Sequence, residues 1–295
     1  SSDSAASVAV PAAVYNSVTA GNAVTIKVTN SDAEVSGTVN KTATSLPTGG
    51  TITTYSSGGT NYRVHTFTSS GNFVNTISGL TATYLIVAGG GGAGSDADTA
   101  GGGGAGGLLS GTTSPSVNTH PVVVGGPGLG GQIIFGSYNS NSWRRGTQGG
   151  NSSFAGNTAI GGGYGMCRSN NQVPGGNGGS GGGGGDQGDQ PGGSGTSGQG
   201  HDGGGNEAMN SNSGNDQGGG GGAGSAASGR NPGNGTSSSI TGTAIVYSKG
   251  GTGHHHPSAT IVTSTTKYGW GGKGANYGSS DSYGAQGVVI VRYVI

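Results

Sequence analysis

The sequence predicts a mostly β and irregular fold with almost no α-helix, in which a small antiparallel β-meander carries a sandwich of polyglycine-II helices. Three observations predict it. The chain has 73 glycines among 295 residues, most of them gathered into runs between positions 89 and 287. Two apolar, β-branched segments bracket those runs: Tyr84-Leu85-Ile86-Val87-Ala88 precedes them, and Val288-Val289-Ile290-Val291-Arg292-Tyr293-Val294-Ile295 follows them. Only 29% of residues are hydrophobic and 7% charged, too few apolar groups for a conventional core of this size and too few charges for a solvated disordered tail.

Glycine sets the energetic problem. Fixing one glycine costs roughly 1–2 kcal/mol of backbone entropy, so ordering all of them costs on the order of 100 kcal/mol. Helix and ordinary sheet do not offset that. A polyglycine-II rod, with about three residues per turn and a rise of about 3.1 Å, turns its amides and carbonyls outward. Such rods carry no side chains, so they can lie close together and satisfy one another's main chains. Composition alone favours the rival, a flexible Gly/Ser tether. The spacers oppose it: Ile133-Ile134-Phe135-Gly136-Ser137-Tyr138 and Asn141-Ser142-Trp143-Arg144-Arg145 carry large side chains that a tether does not need.

Residues 1–47 are poor in glycine and form an extended arm. Ser7-Val8-Ala9-Val10 and Ala23-Val24-Thr25-Ile26-Lys27-Val28 have strand character, the second alternating like a half-buried strand. Two or three strands are too few to fold alone, so the arm must dock on the body or donate a strand to a neighbouring subunit. Residues 48–295 form the glycine-rich domain. Within it, 48–88 is the meander, with strands at 51–55, 62–67, 72–74 and 84–87 separated by Ser57-Gly58-Gly59, Ser70-Gly71 and Ser78-Gly79. Alternation puts Tyr62, Val64 and Thr66 on one face and Arg63, His65 and Phe67 on the other. Residues 89–287 hold the rods and loops, and 288–295 the closing strand; a seven-residue rod would span about 22 Å. No fixed solenoid period is present.

Charge and cysteine exclude several functions. Eleven basic and 11 acidic residues cancel, which gives no electrostatic case for nucleic acid. No apolar run reaches the length of a membrane helix, so membrane insertion is not expected. The lone Cys167 excludes an intrachain disulfide and fits a small buried residue. The start at Ser1, without methionine or signal segment, fits a processed or fragmentary terminus.

No catalytic constellation emerges. Gly178-Gly179-Ser180-Gly181-Gly182 fits a nucleophile elbow only formally, in a glycine field without acid or histidine partners. Asp96 and Asp98 begin like a calcium loop that is not completed. His254 and His256 would project to one side of an extended loop and, in a trimer, ring an axis about a metal; a polar loop tip before Pro257 is the plainer reading, and no cofactor is expected. Trp143, Arg144 and Arg145, with Tyr138 nearby, form the best contact patch. Tryptophan offers a flat face to a sugar or cation, and arginine offers paired hydrogen bonds to carboxylate or phosphate. Tyr164, Tyr268, Trp270, Tyr277 and Tyr283 divide between packing and contact.

Five blocks carry a family resemblance. They are His65-Thr66-Phe67-Thr68-Ser69-Ser70-Gly71-Asn72-Phe73, Tyr84-Leu85-Ile86-Val87-Ala88-Gly89-Gly90-Gly91-Gly92-Ala93-Gly94, Pro121-Val122-Val123-Val124-Gly125-Gly126, Gln148-Gly149-Gly150-Asn151-Ser152-Ser153-Phe154 and Gly287-Val288-Val289-Ile290-Val291-Arg292-Tyr293. Together, over about residues 48–295, the chain resembles the glycine-rich domain of bacteriophage tail-fibre and receptor-binding adhesin proteins. The resemblance implies a polyglycine-II sandwich whose loops at one end meet a host-cell receptor. The spacer loops are individual, so no receptor carries over, and residues 1–47 lie outside the match. The expected protein is a non-enzymatic fibre adhesin, extracellular or on a virion surface, that binds a bacterial surface protein or glycan and other fibre subunits. The alternative is a self-assembling filament subunit, a homo-oligomer linked by N-terminal strand donation.

Overall fold

A computed structural model describes residues 45–95, 100–131, 145–167, 173–185, 190–205, 217–253, 267–274 and 282–295, together with the backbone of 23–29 and 35–42. Among these residues every strand pairing is antiparallel and there is no α-helix.

Two strands, β1 (Ala23–Thr29) and β2 (Val35–Thr42), pair with each other and with no other described strand. The next four are β3 (Thr51–Ser57), β4 (Thr60–Phe67), β5 (Gly71–Val74) and β6 (Ala82–Val87). Gly58 and Gly59, with φ of 57° and 78°, make the two-residue turn between β3 and β4, a conformation that glycine adopts without a Cβ clash. After β7 (Leu108–Thr113) and β8 (Thr119–Val123) come β9 (Ser152–Phe154), β10 (Asn157–Ala159), β11 (Thr236–Ser238), β12 (Ile245–Tyr247) and β13 (Val288–Val294).

The strands are not in the sequential order of a meander. The five-stranded sheet runs β3-β4-β13-β6-β7, so the closing strand lies between β4 and β6; β5 joins a second sheet, β10-β9-β8-β5. The apolar character of β13 explains the insertion. Val289 and Val291 face one side and Val288 and Ile290 the other, so only a central position, covered on both faces, buries all four. On the first side Phe67, Ile86, Val289, Val291 and Tyr293 pack against Phe73, Val122 and Phe154 of the second sheet. On the other, Val64, Leu85, Val87, Val288 and Ile290 pack under Ile240 and Tyr247, beside the β11-β12 hairpin. Val64 and Phe67 thus fall on opposite faces, as alternation requires.

Beyond the sheets the glycine runs bond chiefly main chain to main chain, and their partners change with a period of three. Ala88, Gly91 and Gly94 donate to Gly107, Gly104 and Gly101 at 3.0, 2.9 and 3.0 Å. Gly89 and Gly92 donate to Gly150 and Thr147, and Gly90 and Ala93 to Ala285 and Ser282. Carbonyls of the same run accept from Gly162 and Gly165, from Gly128 and Gly131, and from Gly272. The run 88–94 is therefore cross-bonded to six other segments. The run 101–107 repeats the pattern: 101, 104 and 107 donate to Met166, Gly163 and Ile160, 102 and 105 to Gly218 and Gly221, and 103 and 106 to Gly272 and Gly269. Packing this close requires glycine. A Cβ on Gly91 or Gly103 would lie closer than 3.0 Å to a neighbouring carbonyl oxygen, that of Gly163 or of Gly91 itself.

Candidate functional site

The registers of these hydrogen bonds fix the direction of each run. Segment 88–94 leaves β6 and heads away from the sheets, and 101–107, bonded to it antiparallel, returns to β7. By the same test 128–131, 162–165, 180–185, 201–204, 248–253 and 269–274 head outward, and 146–150, 176–179, 191–194, 217–223 and 282–287 head back. The last described residues of the outward runs are Ser95, Gly131, Cys167, Gly185, Gly205, Gly253 and Gly274; the first described residues of the return runs are Ala100, Arg145, Val173, Gln190, Gln217 and Ser282. All of these termini lie at the end of the rod bundle remote from the sheets. The described residues that flank 96–99, 132–144, 168–172, 186–189, 206–216 and 275–281 therefore all lie there, whereas 254–266 joins the outward run that ends at Gly253 to the start of another, at Lys267.

Of the residues singled out in the sequence, Tyr138, Trp143 and Arg144 lie outside the described residues, as do His254, His256, Tyr277 and the pair Asp96 and Asp98. Arg145 is described. Its Nη1 donates to Tyr164 Oη at 2.9 Å, and its guanidinium lies 4.5 Å from the centre of the Tyr164 ring. The segment that carries Trp143 and Arg144 thus rejoins the rods at a cation–π contact, worth about 0.5–1 kcal/mol at an exposed position. Cys167 is buried, next to the buried Met166.

Trp270 is half-buried. Its Nε1 donates to the Val246 carbonyl at 3.2 Å, and the ammonium groups of Lys267 and Lys249 lie 5.0 and 5.6 Å from its ring centre. Tyr268 packs beside Tyr247, with ring centres 6.3 Å apart, under the second face of the large sheet. That is a packing role, whereas Trp270 keeps one polar, cationic flank.

The distribution of charge was not anticipated from the net value of zero. Asp96, Asp98, Asp186, Asp189, Glu207, Asp216 and Asp281 belong to the spacers flanked by the remote run ends, spacers whose own basic residues are Arg144 and Arg168, while Arg145 and Lys273 stand on the flanking runs. The described residues have the opposite balance, with Arg63, Arg145, Arg230, Lys249, Lys267, Lys273 and Arg292 against Asp202. The signal was present in the sequence, since these acids sit in the spacers between glycine runs, but the runs had to be folded before the spacers shared an end.

His65 is a residue whose role alternation did not reveal. It is fully buried between the sheets, its ring stacked on Tyr293 with centres 5.6 Å apart and nearly perpendicular to Phe73 at 5.0 Å. Its Nδ1–H donates to the Gly49 carbonyl at 2.7 Å, which leaves Nε2 to accept from Tyr293 Oη at 3.2 Å. Loss of water around the ring lowers its pKa below the ordinary 6.5, against the Gly49 hydrogen bond. The neutral imidazole ties the entry to β3 onto the sheet core, a structural use of histidine.

A two-sheet base bearing a bundle of cross-bonded, nearly side-chain-free runs defines a class of glycine-rich scaffold. Residues 68–294 match the family described as Glycine-rich domain, and the chain belongs to that family. No curated protein matches it.

Proposed function

We propose that the protein is a non-enzymatic adhesive component of an extracellular or virion fibre, of the bacteriophage tail-fibre kind, that meets a bacterial surface protein or glycan through the segments at the remote end of its rods. One observation carries the reading: six pairs of outward and returning runs have their described ends on the same side of the molecule, so six spacer segments are flanked there. The period of three in the hydrogen-bond partners supports rods of the polyglycine-II type, which would raise those segments about 22 Å above the sheets for each seven-residue run. A rod without side chains offers nothing to hold a reacting group. It is stiff and neutral, and any specificity must come from what it carries. The acidic residues of those segments add a second expectation, that contact with a cationic or cation-bridged surface weakens as salt screens it.

The test is attachment to a panel of whole bacterial cells. Trp143→Ala combined with Arg144→Ala should reduce attachment by about tenfold, the loss of a buried aromatic or arginine anchor, with an unchanged unfolding transition. Unchanged attachment would discard this patch. Unchanged attachment after replacement of 132–144 and 206–216 by short glycine-serine turns would discard the receptor reading altogether.

A further inference from the structure

The geometry points to β3 as an acceptor edge that the β1-β2 hairpin of a second copy of this chain completes. This inference stands apart from the receptor reading, because it uses the sheets and not the rod ends.

The acceptor is unusual in what it lacks. β3 is an outer strand of the five-stranded sheet, seven residues long and in unbroken register with β4 from Thr51 to Ser57. Thr51, Thr53, Thr54, Ser56 and Ser57 are exposed. Proteins blunt such edges with charge, proline, bulges or brevity, and β3 has none of these. The other outer strands do. β10 has three residues, and β5 has four and is already met by Thr48, which exchanges two main-chain hydrogen bonds with Val74 at 3.1 and 3.0 Å. The amide of Leu108, at the start of β7, donates to the Gln199 carbonyl, and that strand leads into Pro115.

The donor lacks a sheet. β1 and β2, of seven and eight residues, match β3 in length, yet they form a separate two-stranded sheet. A lone hairpin is marginal in water and needs a third strand. The connection to the body leads away from the chain's own β3. The carbonyl of Ser45 accepts from Thr76 Oγ1, Thr48 pairs with Val74 and the Gly49 carbonyl accepts from His65, so residues 45–50 are held against the β5 edge of the other sheet. Because donor and acceptor are different surfaces, pairing between copies is heterologous and propagates head to tail unless it closes into a ring.

The full-length chain should gain mass with concentration in light scattering and show chains or rings by negative stain. Neighbouring amides of an edge strand point alternately inward and outward, so one of Thr53→Pro and Thr54→Pro removes only an open-edge donor. That variant should stay monomeric with its unfolding midpoint retained. Ile26→Pro, which breaks the hairpin, should also be monomeric. An equimolar mixture of the edge-blocked and hairpin-broken chains should give dimers and nothing larger, since one intact hairpin meets one intact edge. Should both prolines unfold the sheet, Thr53→Lys and Thr54→Lys together block the edge by charge and should give the same result. A full-length chain that stays monomeric at every concentration would overturn the inference. So would polymers indifferent to the edge variants, or an Ile26→Pro chain that still assembles through β3 against β3.

Discussion

Phe73, between the two sheets, and Gly91, within the rods, are both buried, yet different forces hold them. Phe73 lies nearly perpendicular to His65 and Phe154, with ring centres 5.0 and 5.7 Å apart, and its burial removes apolar surface from water. Gly91 has no side chain to bury. Its amide donates to Gly104 and its carbonyl accepts from Gly272, each at 2.9 Å. A main-chain hydrogen bond adds only about 0.5–1.5 kcal/mol net, but a buried polar group without a partner costs about 1–3 kcal/mol. The sheets are thus held by what they hide, and the rods by the cost of leaving any one strut unpaired. A packed sheet tolerates changes of side chain that its neighbours can absorb, whereas a rod shared among six neighbours has no side chain to yield.

The sharpest way to break this contrast is a single methyl group. Gly103→Ala places a Cβ against main chain from two neighbouring runs, Gly91 and Gly272. It should exceed the usual 1–3 kcal/mol of overpacking and cost about 4 kcal/mol or more in denaturant unfolding. Phe73→Ala, which removes a whole ring from the sandwich, should cost about 3–5 kcal/mol. If the added methyl were much the cheaper of the two, the rods would be looser than their hydrogen bonds require.

A second contrast is titration at three buried groups of the sheets, His65, Tyr247 and Tyr293. The folded protein holds His65 neutral with a lowered pKa, so below about pH 6.5 the unfolded chain takes up a proton that the folded chain refuses, and stability falls as pH drops through that range. Burial raises Tyr247 and Tyr293 from 10 to about 12. Their contribution is complete below pH 10 and is lost between 10 and about 12, as the unfolded state ionises first. Thermal melts across pH should show both slopes, and His65→Phe should flatten the acidic one. The smallest effect is expected at the rod ends. Arg145→Ala removes one exposed contact with Tyr164 and should lower stability by no more than about 1 kcal/mol.

The sequence revealed the sheets where a strand had one clear apolar rhythm and hid them where tertiary contact supplied the order. The strands at 51–57, 60–67, 71–74, 82–87 and 288–294 could be read from alternation or continuous β-branched runs. The central place of β13 could not, because nothing local distinguishes a closing strand from an inserted one. β8 carries Pro121 opposite Asn72, and proline argues against a strand when only the sequence is in hand. β9 and β10 are three residues each, joined through Ala155 at φ 49° and Gly156 at φ 80°. The usual Asn-Gly or Asp-Gly signal for such a turn is absent. Of the candidate site, Trp143 and its neighbours were legible as residue types. The common end of the runs that flank them was not, because it follows from the direction of runs whose glycines are locally identical.

Amide hydrogen exchange, resolved along the chain, tests the central claim most directly. If cross-bonded main chains order the rods, segments 88–94 and 101–107 should exchange as slowly as β6 and β13, although they contain almost no side chains. Exchange of those glycines at the rate of an open chain, with β6 and β13 still protected, would contradict the account.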